Sequence, residues 1–175
     1  MKNKYAKQKG FTLVELLIVI VILGLLSTIG IGSFISSQKK GRDARRKADL
    51  ESITRALELY YNDNDQYPES SGGLILGCDG AACGWNQSWD DQSGGVTYMV
   101  QLPSDPGRYA YSYSAPLDGS YYILFARLEN LQDSDVPPGP SGPGVYSGTS
   151  CGTDGCNYMI TSSNGATFMP SVIDD

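Results

Sequence analysis

From Phe11 to Ile35 the chain reads FTLVELLIVIVILGLLSTIGIGSFI, 25 residues that are almost all apolar on every side. As a helix this run is about 37 Å long, against a bilayer hydrocarbon core of roughly 30 Å, so it can span a membrane. The pattern then changes. Leu50, Ile53, Leu57 and Tyr60 recur at steps of three, four and three, while Asp49, Glu51, Arg55, Glu58 and Asn62 fall elsewhere, which predicts an amphipathic continuation of the same helix. Asp43 with Lys47 and Glu51 with Arg55 read as acid-then-base pairs on its solvated face, each supporting the helix by about 0.3 kcal/mol. Asn62-Asp63-Asn64-Asp65 supplies turn formers and Pro68 disfavours helical geometry at Tyr67, so the helix is expected to end near Asn62.

Beyond that point the helical period gives way to strand-like runs over Val96–Leu102, Tyr109–Ser114 and Ser120–Arg127. Asp105-Pro106-Gly107 and Asp118-Gly119 between them are strong turn signals. An antiparallel meander is expected, with Tyr109, Tyr111 and Tyr113 forming one aromatic face that lies on the helix stripe as core packing rather than as a stacking platform for a ligand. Residues 69–95, rich in Gly and Ser and containing Trp85 and Trp89, read as a long connecting loop. From Asn130 the sequence LQDSDVPPGPSGPG is too rich in Pro and Gly for regular structure, and Asn157–Ser162 can add a last strand. The fold class is α+β: one long N-terminal helix packed on a small antiparallel sheet, with loops that carry the cysteines.

Inside the apolar run stands one ionisable residue, Glu15, whose carboxylate costs on the order of 3 kcal/mol in hydrocarbon unless a cation meets it. Before the run lies a basic leader, MKNKYAKQKG, with Lys2, Lys4, Lys7 and Lys9. No small-residue cleavage site follows Ile35, so any cut falls ahead of the apolar helix. Cleavage between Gly10 and Phe11 creates an α-amine on Phe11, four residues from Glu15. Gly24, Gly30 and Gly32 weaken the middle of the helix by roughly 1 kcal/mol each relative to Ala. They mark either a segment that unwinds or a surface for close packing between helices, and both readings stand.

The run KGFTLVELLIVIVILG followed by a long amphipathic helix resembles the type IV pilin and type II secretion pseudopilin family, most closely its major pseudopilins. The likeness continues through KADLESITRALELYYNDNDQYP, and more loosely through LPSDPGRYAYSYS and SYYILFARLEN, about two thirds of the chain. It implies a pilin-like fold and a division into leader 1–10, membrane and filament-core helix 11–35, amphipathic half 36–62 and globular head 63–175. It implies cutting after Gly10 by a prepilin peptidase, N-methylation of Phe11, and a role for Glu15 in neutralising the N-terminus of a neighbouring subunit during assembly. The implied partners are further copies of the chain, the peptidase, an inner-membrane assembly platform and minor pilins. One departure is Gly32, where many members have Pro. Asp133 and Asp135 resemble in position the acidic loop that binds calcium in major pseudopilins, and alternating oxygens suit a hard cation, although a solvated acidic turn is the favoured reading.

Charge narrows the picture. Loss of the leader removes four of the 13 basic residues and none of the 19 acidic ones, leaving nine and a net charge of −10. From Ala56 onward only Arg108 and Arg127 stand against 15 carboxylates, which disfavours binding to nucleic acid. The leader lysines favour a cytoplasmic N-terminus, against which stands the larger cluster Lys39, Lys40, Arg42, Arg45, Arg46 and Lys47 beyond the apolar run. The four cysteines favour an oxidising compartment and the family resemblance agrees, so the expectation is a single-pass inner-membrane protein with its head outside the cytoplasm. Cys78, Cys83, Cys151 and Cys156 form two C-x4-C pairs with three possible connectivities. A four-thiolate zinc site normally has tighter spacing, and two local disulfides are the first choice.

The chain has no His, no nucleophile motif and no phosphate-cradling Gly loop before a helix, so no enzyme and no cofactor are expected. The expected function is that of a structural subunit of an extracytoplasmic helical filament, either a type II secretion pseudopilus or a type IV pilus. The alternatives are a membrane-anchored binding module, such as an adhesin or minor pilin tip, and a DNA-uptake pseudopilin.

Overall fold

Helix α1 runs from Leu13 to Asn64, 52 residues, in the computed structural model of the protein. The structure describes residues 10–78, 80–91 and 95–175, without the side chains of 28–31 and Asp91. The leader lysines and the surroundings of Gly30 therefore lie outside the described residues. The chain divides into two compact units, Met1–Gln38 and Lys39–Asp175, and α1 contributes to both.

In the first unit every described large apolar side chain from Phe11 to Leu26, with Phe34 and Ile35, is exposed, from 48% at Val19 to 86% at Leu13. A helix that is apolar all round and buries none of that surface within its own chain belongs in lipid or in the core of an assembly. Two of its serines bond back to the helix: the Ser27 hydroxyl donates to the Leu23 carbonyl at 2.7 Å and that of Ser37 to the Ser33 carbonyl at 2.9 Å. Among the described residues no single straight helix is long and apolar enough to cross a membrane. The stretches Leu13–Ser27 and Gly32–Asn64, joined through a bend, pass together by length and composition.

The second unit is built on the stripe. Leu50, Ile53 and Leu57 are wholly buried and Ala56 nearly so, in one cluster with Ile75, Trp89, Tyr111, Tyr113, Tyr122 and Leu124. The helix ends two residues later than the turn formers suggested. The Asn64 side-chain amide donates to the Tyr60 carbonyl, and Asp65, in the left-handed region at φ 56°, donates its N–H to the Tyr61 carbonyl and so closes the last turn.

The central sheet has the order β11-β7-β6, with β6 at Ser112–Ser114, β7 at Ile123–Ala126 and β11 at Tyr158–Thr161, all antiparallel. β7 is buried at all four positions because both its faces are covered. Leu124 and Ala126 belong to the helix-side cluster, while Ile123 and Phe125 pack with Tyr146, Cys151 and Cys156 on the other face. Buried Asn157 prolongs the ladder: its side-chain oxygen accepts from Leu128 N at 2.6 Å and its amide donates to the Leu128 carbonyl at 3.1 Å.

Three sequence expectations need correction. Residues 69–95 are not a plain loop: β1 (Ser70–Ser71), β2 (Leu74–Cys78) and β3 (Ala81–Cys83) form a sheet, and β4 (Trp89–Asp91) pairs with β5 (Val96–Met99). Gly72 and Gly73, with φ of 59° and 81°, are the two-residue turn of a hairpin rather than linker, and Ile75 and Trp89 enter the core. The meander is therefore broken, since β5 pairs with β4 and not with β6. The Pro- and Gly-rich tail also holds structure. β8 (Gly144–Tyr146) pairs with β12 (Val172–Asp174), and the short β9 (Ser150–Cys151) and β10 (Asp154–Gly155) turn about Gly152, because Pro and Gly fall at the bends and short apolar segments pair between them.

Candidate processing and assembly site

Gly10, Phe11 and Thr12 precede the helix in irregular, exposed backbone, with Phe11 82% exposed and no atom within 4 Å of where a Cβ on Gly10 would lie. Helix α1 then starts on a reciprocal capping pair. Thr12 donates its backbone N–H to Glu15 Oε2 at 2.9 Å and its hydroxyl to the same oxygen at 2.8 Å, while Glu15 N–H donates to Thr12 Oγ1 at 3.3 Å. The isolated chain thus gives Glu15 a hydrogen-bonding partner that sequence reasoning, looking for a cation, missed. Its signal was present as Thr-x-x-Glu at the head of an apolar run. Nothing lies within 4 Å of a Cβ built on Gly24 or Gly32, so no packing within the subunit requires glycine at either position.

Where the apolar run has ended, the charged residues of α1 enter a buried network with the head loops. Arg46 is fully buried and grips Asp105 in a fork, Nε to Oδ2 at 2.6 Å and Nη2 to Oδ1 at 3.0 Å, while Nη1 donates to Asp43 Oδ1 at 2.7 Å and to Glu129 Oε1 at 2.9 Å. Asp43 also accepts the backbone N–H groups of Glu129 and Asn130, and Arg42 holds Glu129 from the other side. Hydrogen bonds from Arg42, against the opposing effect of burial, bring the Glu129 carboxyl down to about 2. Burial works against the charge on Arg46, but Asp105 and its companions outweigh it and raise its pKa. Asp43 is therefore not the surface partner of Lys47 that the i,i+4 spacing suggested, because the loop bearing Glu129 and Asn130 folds over it. Arg46 was legible as well, standing four residues before Leu50 on the same stripe.

Lys47 instead donates to Asp133 Oδ1 and Asp135 Oδ2, each at 2.7 Å. The two calcium candidates thus converge on an ammonium, and among the described residues no group of three or more Asp, Glu, Cys or His side chains is disposed to hold a metal ion. Cys78 is bonded to Cys83 and Cys151 to Cys156, leaving no free thiol among the described residues.

The sequence of this N-terminal segment, residues 5–31, matches the prokaryotic N-terminal methylation motif, and residues 33–130 match the type II secretion system (T2SS) protein G model. The chain belongs to the type II secretion system protein G family. Similar proteins include the type II secretion system core protein G of Pseudomonas aeruginosa, 32% identical over 111 residues covering 63% of this chain and 75% of that one. Those of Vibrio cholerae and Escherichia coli K12 are 31% and 30% identical, covering 70% and 69% of this chain and 82% and 81% of theirs. No solved structure matches the chain. The protein G match takes in both sides of the Arg46 network, from Arg42 to Glu129, and stops before the Lys47-bound aspartates, the Cys151–Cys156 loop and the β8/β12 ribbon. The methylation motif contains both members of the Thr12–Glu15 pair.

Proposed function

We infer that this protein is the structural subunit of a type II secretion pseudopilus, inserted in the inner membrane by its apolar helix with the head outside the cytoplasm. It is cut between Gly10 and Phe11 by prepilin peptidase, N-methylated at Phe11, and polymerised through α1. The observation that carries this reading is an apolar helix exposed on all sides, opened by Gly10-Phe11 and holding one carboxylate near its start. In a helical polymer laterally packed copies bury that surface by one repeated head-to-tail contact, which extends indefinitely when its rotation does not close. Glu15 then meets the Phe11 amine of the adjoining subunit, and Gly24 and Gly32, with Gly30, offer either close approach or local unwinding in the packed core. Partners are other copies, the peptidase, minor pilins and the assembly platform. The role is mechanical rather than catalytic, and the acidic head speaks against a DNA-uptake role.

The test is deletion of the gene, followed by complementation. Secreted enzymes should accumulate inside the envelope and return to the medium when the wild-type chain is restored. Normal secretion by the deletion strain, with transformation or surface adhesion lost instead, rejects the secretion assignment.

A further inference from the structure

Lys39 and Arg42 of α1 face Arg108 and Tyr109 across an open cavity of about 480 Å³ in the second unit, with Glu129 among its walls. The gathering of cations is unexpected in a mature chain of net charge −10. Only two basic residues follow Ala56. Arg127 is buried, donating to Asp175 and to the Gly155 carbonyl. The other, Arg108, is 78% exposed and donates to the Tyr109 hydroxyl at 3.3 Å and to Asp154 at 3.4 Å, in loose surface contacts. The head thus brings its one exposed cation beside those of the helix. Its guanidinium lies 5.1 Å from the centre of the Tyr109 ring, which fixes it at the cavity, and Glu129 is already engaged by Arg42 and Arg46. Glu129 answers Arg42 and Arg46, which leaves Lys39 and Arg108 as like charges that repel unless a further anion joins them.

We propose that this cavity binds the phosphate head group of an anionic phospholipid and so seats the head of the unassembled subunit on the membrane. The proposal rests on reading the apolar run as a membrane span. Lys39 follows Ile35, the last residue of that run, by four positions, about 6 Å along a helix, which puts the helical side of the cavity at head-group depth. The Lys39 ammonium and the Arg108 guanidinium suit phosphate oxygens, beside an Arg42 that already gives Nε and Nη2 to Glu129, and the cavity is of the size of small-molecule sites.

The experiment is native mass spectrometry of the full-length protein in detergent, titrated with phosphatidylglycerol or with phosphatidylcholine of the same acyl chains. The wild type should prefer the anionic lipid. Replacing Lys39→Gln and Arg108→Gln together should weaken that binding about 25-fold, about fivefold for each cation, without changing phosphatidylcholine binding. Lys39→Arg with Arg108→Lys should retain the preference, and unchanged thermal melting shows that the fold survives. Equal binding of both lipids by the wild type overturns the proposal, as does a preference that persists in the Gln pair. If the wild type shows no preference yet the Gln pair fails to form filaments, the anion is a carboxylate of a second copy and the lipid assignment falls. Failure of the wild-type chain to remain in isolated membranes is a separate result, which removes the span and this site with it.

Discussion

Glu15 and Arg46 are the two charged side chains whose surroundings set what each can do. Glu15 is held by Thr12, which gives its Oε2 two hydrogen bonds and leaves its charge to be met by a cation. Replacing Glu15→Ala should leave insertion and leader cleavage largely intact and abolish or greatly slow filament growth, read by blotting sheared filaments against the membrane pool. Glu15→Asp should do less harm, and Thr12→Val, which removes the side-chain half of the cap, should cost about 1 kcal/mol of helix stability and leave filaments detectable. Arg46→Met strands three carboxylates that the folded head packs around a cation, and the head should lose about 3–5 kcal/mol by denaturant melting. Glu129 adds a pH dependence. Its carboxyl is held at about 2 in the fold and returns to the ordinary range near 4.5 on unfolding, so its stabilising contribution is full above that range and vanishes as pH falls toward 2. Melting temperature should drop across that interval, and Glu129→Gln should flatten the drop. The Arg46 position was readable in principle from its place on the stripe, but its three acceptors come from residues 43, 105 and 129, and no local pattern joins those.

Among the elements, α1 was the most legible because 52 residues give periodicity room to declare itself. Leu50, Ile53 and Leu57 are buried as the stripe implies, with the helix end displaced by two residues. The strands were not legible to the same degree because most are two to four residues long, too short for alternation to separate from loop. The β1–β2 hairpin was hidden by the very Gly72-Gly73 that makes its turn. The acidic loop after Asn130 shows the same limit: Asp133 and Asp135 read as a solvated turn, with a hard cation as the alternative, and both accept from Lys47, 86 and 88 residues away in sequence. Since that ammonium fills the space between the two carboxylates, calcium or a chelator should leave the wild-type melting temperature unchanged. Lys47→Ala should lower it by about 1 kcal/mol in stability, more at low salt than at high.

At the level of the whole molecule the α+β class was carried by two changes of period along the chain, from apolar all round, to a helical stripe, to short alternating runs. What remained hidden was pairing order, since β5 joins β4 while β7 sits between β6 and β11. Intact-mass analysis of protein from native membranes should give a chain beginning at Phe11 with one added methyl group, and retention of the first ten residues would sink both processing and assembly. The cap on Glu15 has a consequence for growth. Because Thr12 gives one oxygen of that carboxylate two hydrogen bonds within each subunit, part of its cost in the bilayer is already met before assembly. Joining a filament would then trade this neutral cap for a cation, so the strength of the cap would set how much each added subunit gains.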